Sequence, residues 1–285
     1  MAYTTASNLA AGQIAFVGEA RYTLEHDVIL DGLFDKRTLG KGEKSLYVPK
    51  FGKVTAKDLT DGVDMTESQQ LTISGTTHTT DEAGCKVVIT KKLVNQLKED
   101  AYRAAGKVVG NAMRTKIETD GTALFSGISG GVGAASTAFS TSYMLAAVTQ
   151  LKGQAEPAPD PIYCCLHPYT YHDVKTNLAL PSTSMMPEDI HRSNLTGAYR
   201  GLEPLYGIPV FICGNVDNST ATSTYNAIFS KMAFIYLVGW EPEQWLEEDK
   251  SLRGYEIGIV ADYACVEEDD GYARYLLFDA TAPTT

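Results

Sequence analysis

An α+β fold is predicted by three features of the sequence: alternating apolar residues in a Thr-rich stretch from Lys44 to Lys86, one long amphipathic helix after it, and mixed helical and strand-like segments that end in a strand-rich tail. The 285 residues, 44% hydrophobic and 21% charged, have an ordinary globular composition. By surface scaling, a compact chain of this mass exposes roughly 12,000 Å² folded against about 45,000 Å² unfolded, room for one large domain or two modest ones. Lys plus Arg number 24 against 35 Asp plus Glu, a net charge of −11. That balance excludes a dedicated nucleic-acid binder, which needs clustered basic side chains. No apolar run is long enough to span a membrane, and the stretch Leu9–Val17 has no Lys or Arg before it, so neither a transmembrane helix nor a signal peptide is expected. The five cysteines, Cys85, Cys164, Cys165, Cys213 and Cys265, include no pair spaced as a zinc ribbon or redox motif requires, which points to a reducing interior.

Residues 1–44 are thin in core-forming side chains, apart from a short helical pattern through Leu24, Val28, Leu33 and Phe34, and read as an arm. In residues 45–86, Leu46 and Val48 alternate before Pro49, and Leu71 and Ile73 alternate before a Thr-rich run, which predicts a long hairpin around a polar stretch from Lys53 to Gln70. So few large apolar side chains do not order a two-stranded ribbon in water, so the hairpin is expected to lie on the rest of its own chain or on another copy, the alternative being a flexible surface insertion. Leu93, Leu97, Ala101, Ala104, Val108, Ala112 and Ile117 then recur at helical spacing, with Thr90 as N-cap and Gly121 as stop. Such a helix, of about 28 residues and roughly 42 Å, is long enough to cross a whole domain. Ser126–Ser136 is Gly- and Ala-rich and reads as a linker. A helix at Ser142–Lys152, a strand at Ile162–Leu166 and a helix from Pro168 to Asn177 follow, the last with proline in its first turn. Leu180–Arg200 is a long polar loop, Gly207–Cys213 a buried strand, and Ala227–Trp240 two short apolar runs. Tyr255–Val266 and Tyr272–Phe278, around the acidic turn Glu267–Gly271, predict a terminal hairpin.

Chemistry-bearing patterns are sparse. Gly127-Ile128-Ser129-Gly130-Gly131 matches the nucleophile-elbow pattern but lacks the strand-before, helix-after context that exposes the serine. His167 and His172, five apart, do not share a helical face with Cys164 and Cys165, so zinc is not expected. Asp58, Asp61, Asp64 and Glu67 recur every three residues, unlike the alternating oxygens of a calcium loop, and read as a solvated acidic loop. The acids Glu247–Asp249 and Glu267–Asp270 are expected in exposed turns, where nothing raises the pKa of one member as acid catalysis requires. Trp240 and Trp245 flank a Glu-Pro turn and are expected to pack as a core corner. No cofactor, no metal and no catalytic activity are predicted.

The order of parts, an arm, a long hairpin, one long helix, an α/β domain and terminal strands, resembles the Hong Kong 97-type major capsid proteins of tailed bacteriophages. The local echoes are Leu166-His167-Pro168-Tyr169-Thr170-Tyr171 as strand into helix, Leu205-Tyr206-Gly207-Ile208-Pro209-Val210 entering a core strand, and Ala227-Ile228-Phe229-Ser230-Lys231 opening the next. The resemblance implies an N-terminal arm (1–44), an E-loop hairpin (45–86), a spine helix with part of a peripheral domain (87–137), an axial domain (138–232) and return strands of the peripheral domain (233–285). It implies inter-subunit contacts at Lys50, Lys53, Lys57, Asp58, Asp61, Asp64 and Glu67 of the E-loop, and at Met185, Glu188, Asp189 and Arg192 around the capsomer centre. It further implies self-assembly as hexamers and pentamers into an icosahedral virion shell around double-stranded DNA, in the host bacterial cytoplasm, with a portal and a cement protein as partners and no membrane.

Two departures from the family pattern refine these expectations. The short arm holds nothing like the helical scaffolding segment that some relatives carry, which predicts a separate scaffolding protein. From about Ala233 onward the chain contains no Asn, so the Lys–Asn cross-link of some relatives is not expected. Beside the capsid reading stand a shell protein of a cellular encapsulin-type compartment, a tail or decoration component, and an α/β hydrolase whose turnover Ser129→Ala would abolish.

Overall fold

The computed structural model describes residues 29–65, 68–96, 101–179, 204–205, 207–220 and 222–284. The chain begins with α1 (Leu30–Leu33), β1 (Asp35–Thr38), β2 (Ser45–Phe51), β3 (Ile73–Thr79), β4 (Asp81–Thr90), α2 (Lys91–Gln96) and α3 (Ala101–Ala123). A 3-10 turn at Leu124–Gly127 leads to β5 (Gly131–Gly133), α4 (Thr141–Gly153), β6 (Ile162–Leu166) and α5 (Pro168–Ala179). The remainder is β7 (Pro204–Leu205), β8 (Ile208–Ile212), β9 (Thr224–Ser230), β10 (Phe234–Asp249), β11 (Gly254–Glu267) and β12 (Ala273–Phe278). They form a four-stranded sheet β1-β10-β11-β4, a six-stranded sheet β5-β12-β9-β6-β8-β7 and the isolated pair β2-β3. No helix among the described residues is long and apolar enough to cross a membrane.

In the four-stranded sheet every second residue of β4 and β11 faces inward: Ala83, Cys85 and Val87 of β4 and Ile259, Ala261 and Tyr263 of β11 pack in the cluster of Val109 and Met113 of α3, and Ile89 and Ile257 pack with Leu93 of α2 and Ala105 of α3. The six-stranded sheet is covered by Met144, Ala147 and Leu151 of α4 and Val174 of α5. The two sheets join at the tight turn Ser230–Ala233, where Phe34, Phe125, Phe229 and Phe234 cluster with ring centroids 5.1 to 6.1 Å apart. The strand-to-helix motif at Leu166–Tyr171 is fixed by buried Asn226, whose Oδ1 accepts from the His167 amide at 2.6 Å while its Nδ2 reaches the Leu276 carbonyl at 3.3 Å.

Several sequence expectations need correction. The hairpin ends at Thr79, not Lys86: residues 81–90 belong to the four-stranded sheet, because their inward alternation commits them to α3 and β11. No terminal hairpin forms, since β11 has both edges taken by β10 and β4, and β12 both edges taken by β9 and β5. β12 therefore sits in the six-stranded sheet, and residues 233–285 do not make one unit. Within the expected linker, β5 pairs in parallel with β12. The expected long helix falls in α2 and α3, with Thr90 Oγ1 accepting from the Leu93 amide at 3.4 Å. Gly121 is no stop; α3 runs past it, and a Cβ there would lie 2.5 Å from Leu30 Cδ1, so the glycine lets α1 seat on α3.

Nor do Trp240 and Trp245 pack as a corner, being 48% and 36% exposed on an uninterrupted β10. Two register shifts, at Val238/Trp240 and Trp240/Glu243, carry the strand past Pro242 without a turn. Proline's missing amide is tolerated because β1 pairs only with residues 235–238; from Trp240 to Asp249 the far edge of β10 has no strand beside it among the described residues.

Candidate functional site

The β2-β3 hairpin is two-faced. Its register puts Leu46, Val48 and Lys50 on one side with Ser74, Thr76 and His78, and Tyr47, Pro49 and Phe51 on the other with Ile73. The first side leans on the body of the chain: Leu46 and Val48 are half-buried and His78 is 7% exposed. On the outer side Tyr47, Phe51 and Ile73 are 54%, 59% and 60% exposed. The tip carries Val54, Leu59, Val63, Met65 and Leu71, all exposed, and is held by its own bonds, such as Thr55 N to Gln69 Oε1 at 2.8 Å and Gly52 N to the Thr72 carbonyl at 2.8 Å. Lys57, Asp58, Asp61 and Asp64 lie exposed on this tip. Glu67, and Met185, Glu188, Asp189 and Arg192 of the expected capsomer-centre loop, lie outside the described residues.

Beneath the hairpin's inner side sits the acidic turn Glu267–Asp270. Lys50 Nζ lies 2.6 Å from Asp269 Oδ2 and 3.1 Å from Glu156 Oε2, Lys53 Nζ donates to the Ala155 carbonyl, and His78 Nε2 lies 2.7 Å from Glu268 Oε2. The Asp269 bond, against a smaller opposing effect of burial, raises the Lys50 pKa. Lys50 is thus held as an ammonium ion, the cationic partner of both carboxylates.

The expectation that nothing perturbs these acids is also corrected. Burial, then the hydrogen bond to Asp270, pushes the Glu267 carboxyl up to about 7. Burial also works against Asp270, but bonds donated by the Ser129 hydroxyl and amide outweigh it and leave that carboxylate below its usual range. A carboxyl that prefers its proton when folded favours the folded state at low pH, and that contribution is lost as pH rises from the unfolded value near 4.5 through about 7. With the solvent still reaching Glu267 allowed for, the effect is about 1 kcal/mol, or about 2–4 °C in Tm. Between pH 5.5 and 8.0, Glu267→Gln is therefore expected to lose less Tm than the parent chain; equal losses would dismiss this assignment.

Ser129 has carboxylate Asp270 as its bonding partner and no strand leading into it, so the sequence match at 127–131 does not build a nucleophile elbow. Two shallow grooves of about 340 and 470 Å³ flank β4, the first lined by Gly84, Lys86, Trp245 and Val260, the second by Cys85, Met113 and Lys116. Among the described residues no group of three His, Cys, Asp or Glu can hold a metal ion. His167 Nδ1 accepts from the Tyr169 amide at 3.3 Å and so caps α5. The five cysteines are free thiols. What the surface does offer is the hairpin with its uncovered outer side. Sequence reasoning singled out Lys50 and Lys53 as inter-subunit contacts and did not foresee their pairing with Glu156 and Asp269 of the same chain, nor that of His78 with Glu268.

No protein-family model and no curated protein matches the sequence. Solved structures do match. The chain is similar to the head structure of Helicobacter pylori bacteriophage KHP40, with a TM-score of 0.74 at 11% identity, covering 98% of this chain and 99% of that one. It is similar to the capsid of cyanophage P-SCSP1u, with a TM-score of 0.73 at 14% identity and coverages of 94% and 93%, and to Mycobacterium phage Che8, with 0.69 at 11% identity and coverages of 91% and 96%. The fold is therefore the mixed α+β, Hong Kong 97-type fold of phage capsid structures.

Proposed function

We propose that this chain is the major capsid protein of a tailed bacteriophage, assembling as hexamers and pentamers into an icosahedral shell around double-stranded DNA. The observation that carries the reading is the likeness to phage capsid structures over nearly the full length of both chains. Physical features agree with it. Large apolar side chains stand exposed on the outer side and tip of the hairpin, among them Tyr47, Phe51, Leu59, Val63 and Ile73, where a copy of the same chain would cover them. In this reading the hairpin is the E-loop that lies over an adjacent subunit. Of the arm expected at 1–44, α1 and β1 instead pack in their own chain's core and sheet, so only the part before α1 is proposed to reach neighbours, and residues 180–200, with Met185, Glu188, Asp189 and Arg192, to meet around the capsomer centre. The net charge of −11 suits a container wall that must enclose a polyanion without gripping it. A separate scaffolding protein, a portal and a cement protein complete the set of partners, and the virion is the destination.

The test is to express the chain alone and with candidate scaffold, then follow it by sedimentation and negative-stain electron microscopy. Closed shells or capsomer rings are expected. A monomer under every condition, scaffold included, would overturn the proposal, and turnover abolished by Ser129→Ala would replace it.

A further inference from the structure

We propose that Lys50, Lys53 and His78 form an intramolecular clasp that holds the hairpin on the acidic turn of its own chain in the unassembled subunit, and that the clasp opens when a neighbouring copy takes up the hairpin. The second half rests on the shell reading above; the first does not.

Among the described residues the ladder of the hairpin pairs with no strand of the body, so its angle is set by side chains on its inner side. Half-buried Leu46 and Val48 lie there, and polar contacts pin both ends. At the base, His78 meets Glu268 at 2.7 Å, and both side chains are largely buried. Four pairs further along, Lys50 bridges Asp269 and Glu156 at 2.6 and 3.1 Å, and Lys53 lies 3.9 Å from Glu156. Two attachment points along one stiff ladder define a direction, where a single one would leave a pivot. The pairs also differ in what releases them. Lys50 and Glu156 keep 48% and 40% of their side-chain surface in water, so salt competes with them, whereas the His78–Glu268 pair is shielded. The clasp therefore opens from its outer end, at the residues next to Phe51 and Ile73, whose exposed rings and branches a neighbour would cover. Any subunit that pulls on that outer side loads the exposed pairs first.

Carbodiimide cross-linking reads these contacts directly, since it condenses an amine and an adjacent carboxylate to an amide with the carbodiimide taking up the water. Light and heavy isotope-labelled chains are mixed, so that a link within one chain carries one label and a link between chains carries both. In the free subunit at low salt, single-label Lys50–Asp269, Lys50–Glu156 and Lys53–Glu156 links are expected, falling at least fivefold in 1 M NaCl. Lys50→Gln should lower the Lys53–Glu156 link at least threefold, although neither linked residue has changed. Absence of single-label links in the free subunit, or links carrying both labels instead, would overturn the clasp. In assembled shells the single-label yield should fall at least fivefold; a yield equal to that of the free subunit would overturn the release. If no shell forms, the release falls with the shell reading, while the free-subunit yields still decide the clasp.

Discussion

Removal of Thr55–Gln70 is expected to leave a folded subunit that no longer assembles. The deleted tip carries Val54's apolar neighbours Leu59, Val63 and Met65 into solvent, and its hydrogen bonds, such as Thr55 N to Gln69 Oε1 and Val63 N to the Thr60 carbonyl, close within the tip. Both strands of the hairpin remain, as do Lys50 and His78. Shortening the connection lowers the entropy of closing it, so stability should stay within about 1 kcal/mol of the parent. Near-ultraviolet circular dichroism and thermal melts measure the first half of this expectation, and sedimentation with scaffold the second. Loss of the cooperative melt would show that the tip belongs to the core; shells of normal size would show that it is not an inter-subunit contact.

The second large effect is expected at Glu118, in the second turn from the end of α3. Its side chain is fully buried and accepts from the amides of Ile29 and Leu30, both at 3.1 Å, and from the Cys213 thiol at 3.3 Å. The two amides open α1 and would otherwise be orphan donors inside the protein. Behind them come Leu30, Leu33 and Phe34, which fill the cluster between the two sheets. Glu118→Ala strands these donors and loosens that packing, at about 3 kcal/mol, or roughly 6–10 °C in Tm. Glu118→Gln keeps one acceptor oxygen and should lose about half as much. A drop in Tm below about 2 °C for the alanine variant would mean that α1 is held by its apolar side chains alone.

Local features were legible in the sequence wherever the chain's own periodicity decides the structure. Ile162–Leu166 forms the strand expected of it, and α4 lies within a residue or so of the expected helix, because core packing there follows the local pattern. Pairing between distant strands was not legible. Val266 and Tyr272 flank a turn that looks like a hairpin, yet whether two adjacent strands pair depends on which edges are already taken, and β11's second edge is taken by β4, more than 160 residues earlier in the chain. The same holds at the acidic turn. Four successive carboxylates read as solvated because sequence carries no burial; the fold closes β3 over Glu268 and Ser129 onto Asp270, while burial and then the hydrogen bond to Asp270 lift Glu267. For Trp245 the deceptive signal was Pro242, which usually marks a turn and here only marks a strand edge with no partner.

That open edge of β10 bears on how a chain of this kind avoids the wrong polymer. A bare strand edge offers a row of backbone donors and acceptors to any identical edge, and joining two of them repeats without closing, as a fibre does. Here the edge carries Glu241, Glu243, Glu247, Glu248 and Asp249, and Pro242 interrupts its donors. Two copies approaching edge to edge bring like charges together and find a gap in the ladder, so the cheapest route to endless aggregation is closed. Association is left to surfaces that curve and close.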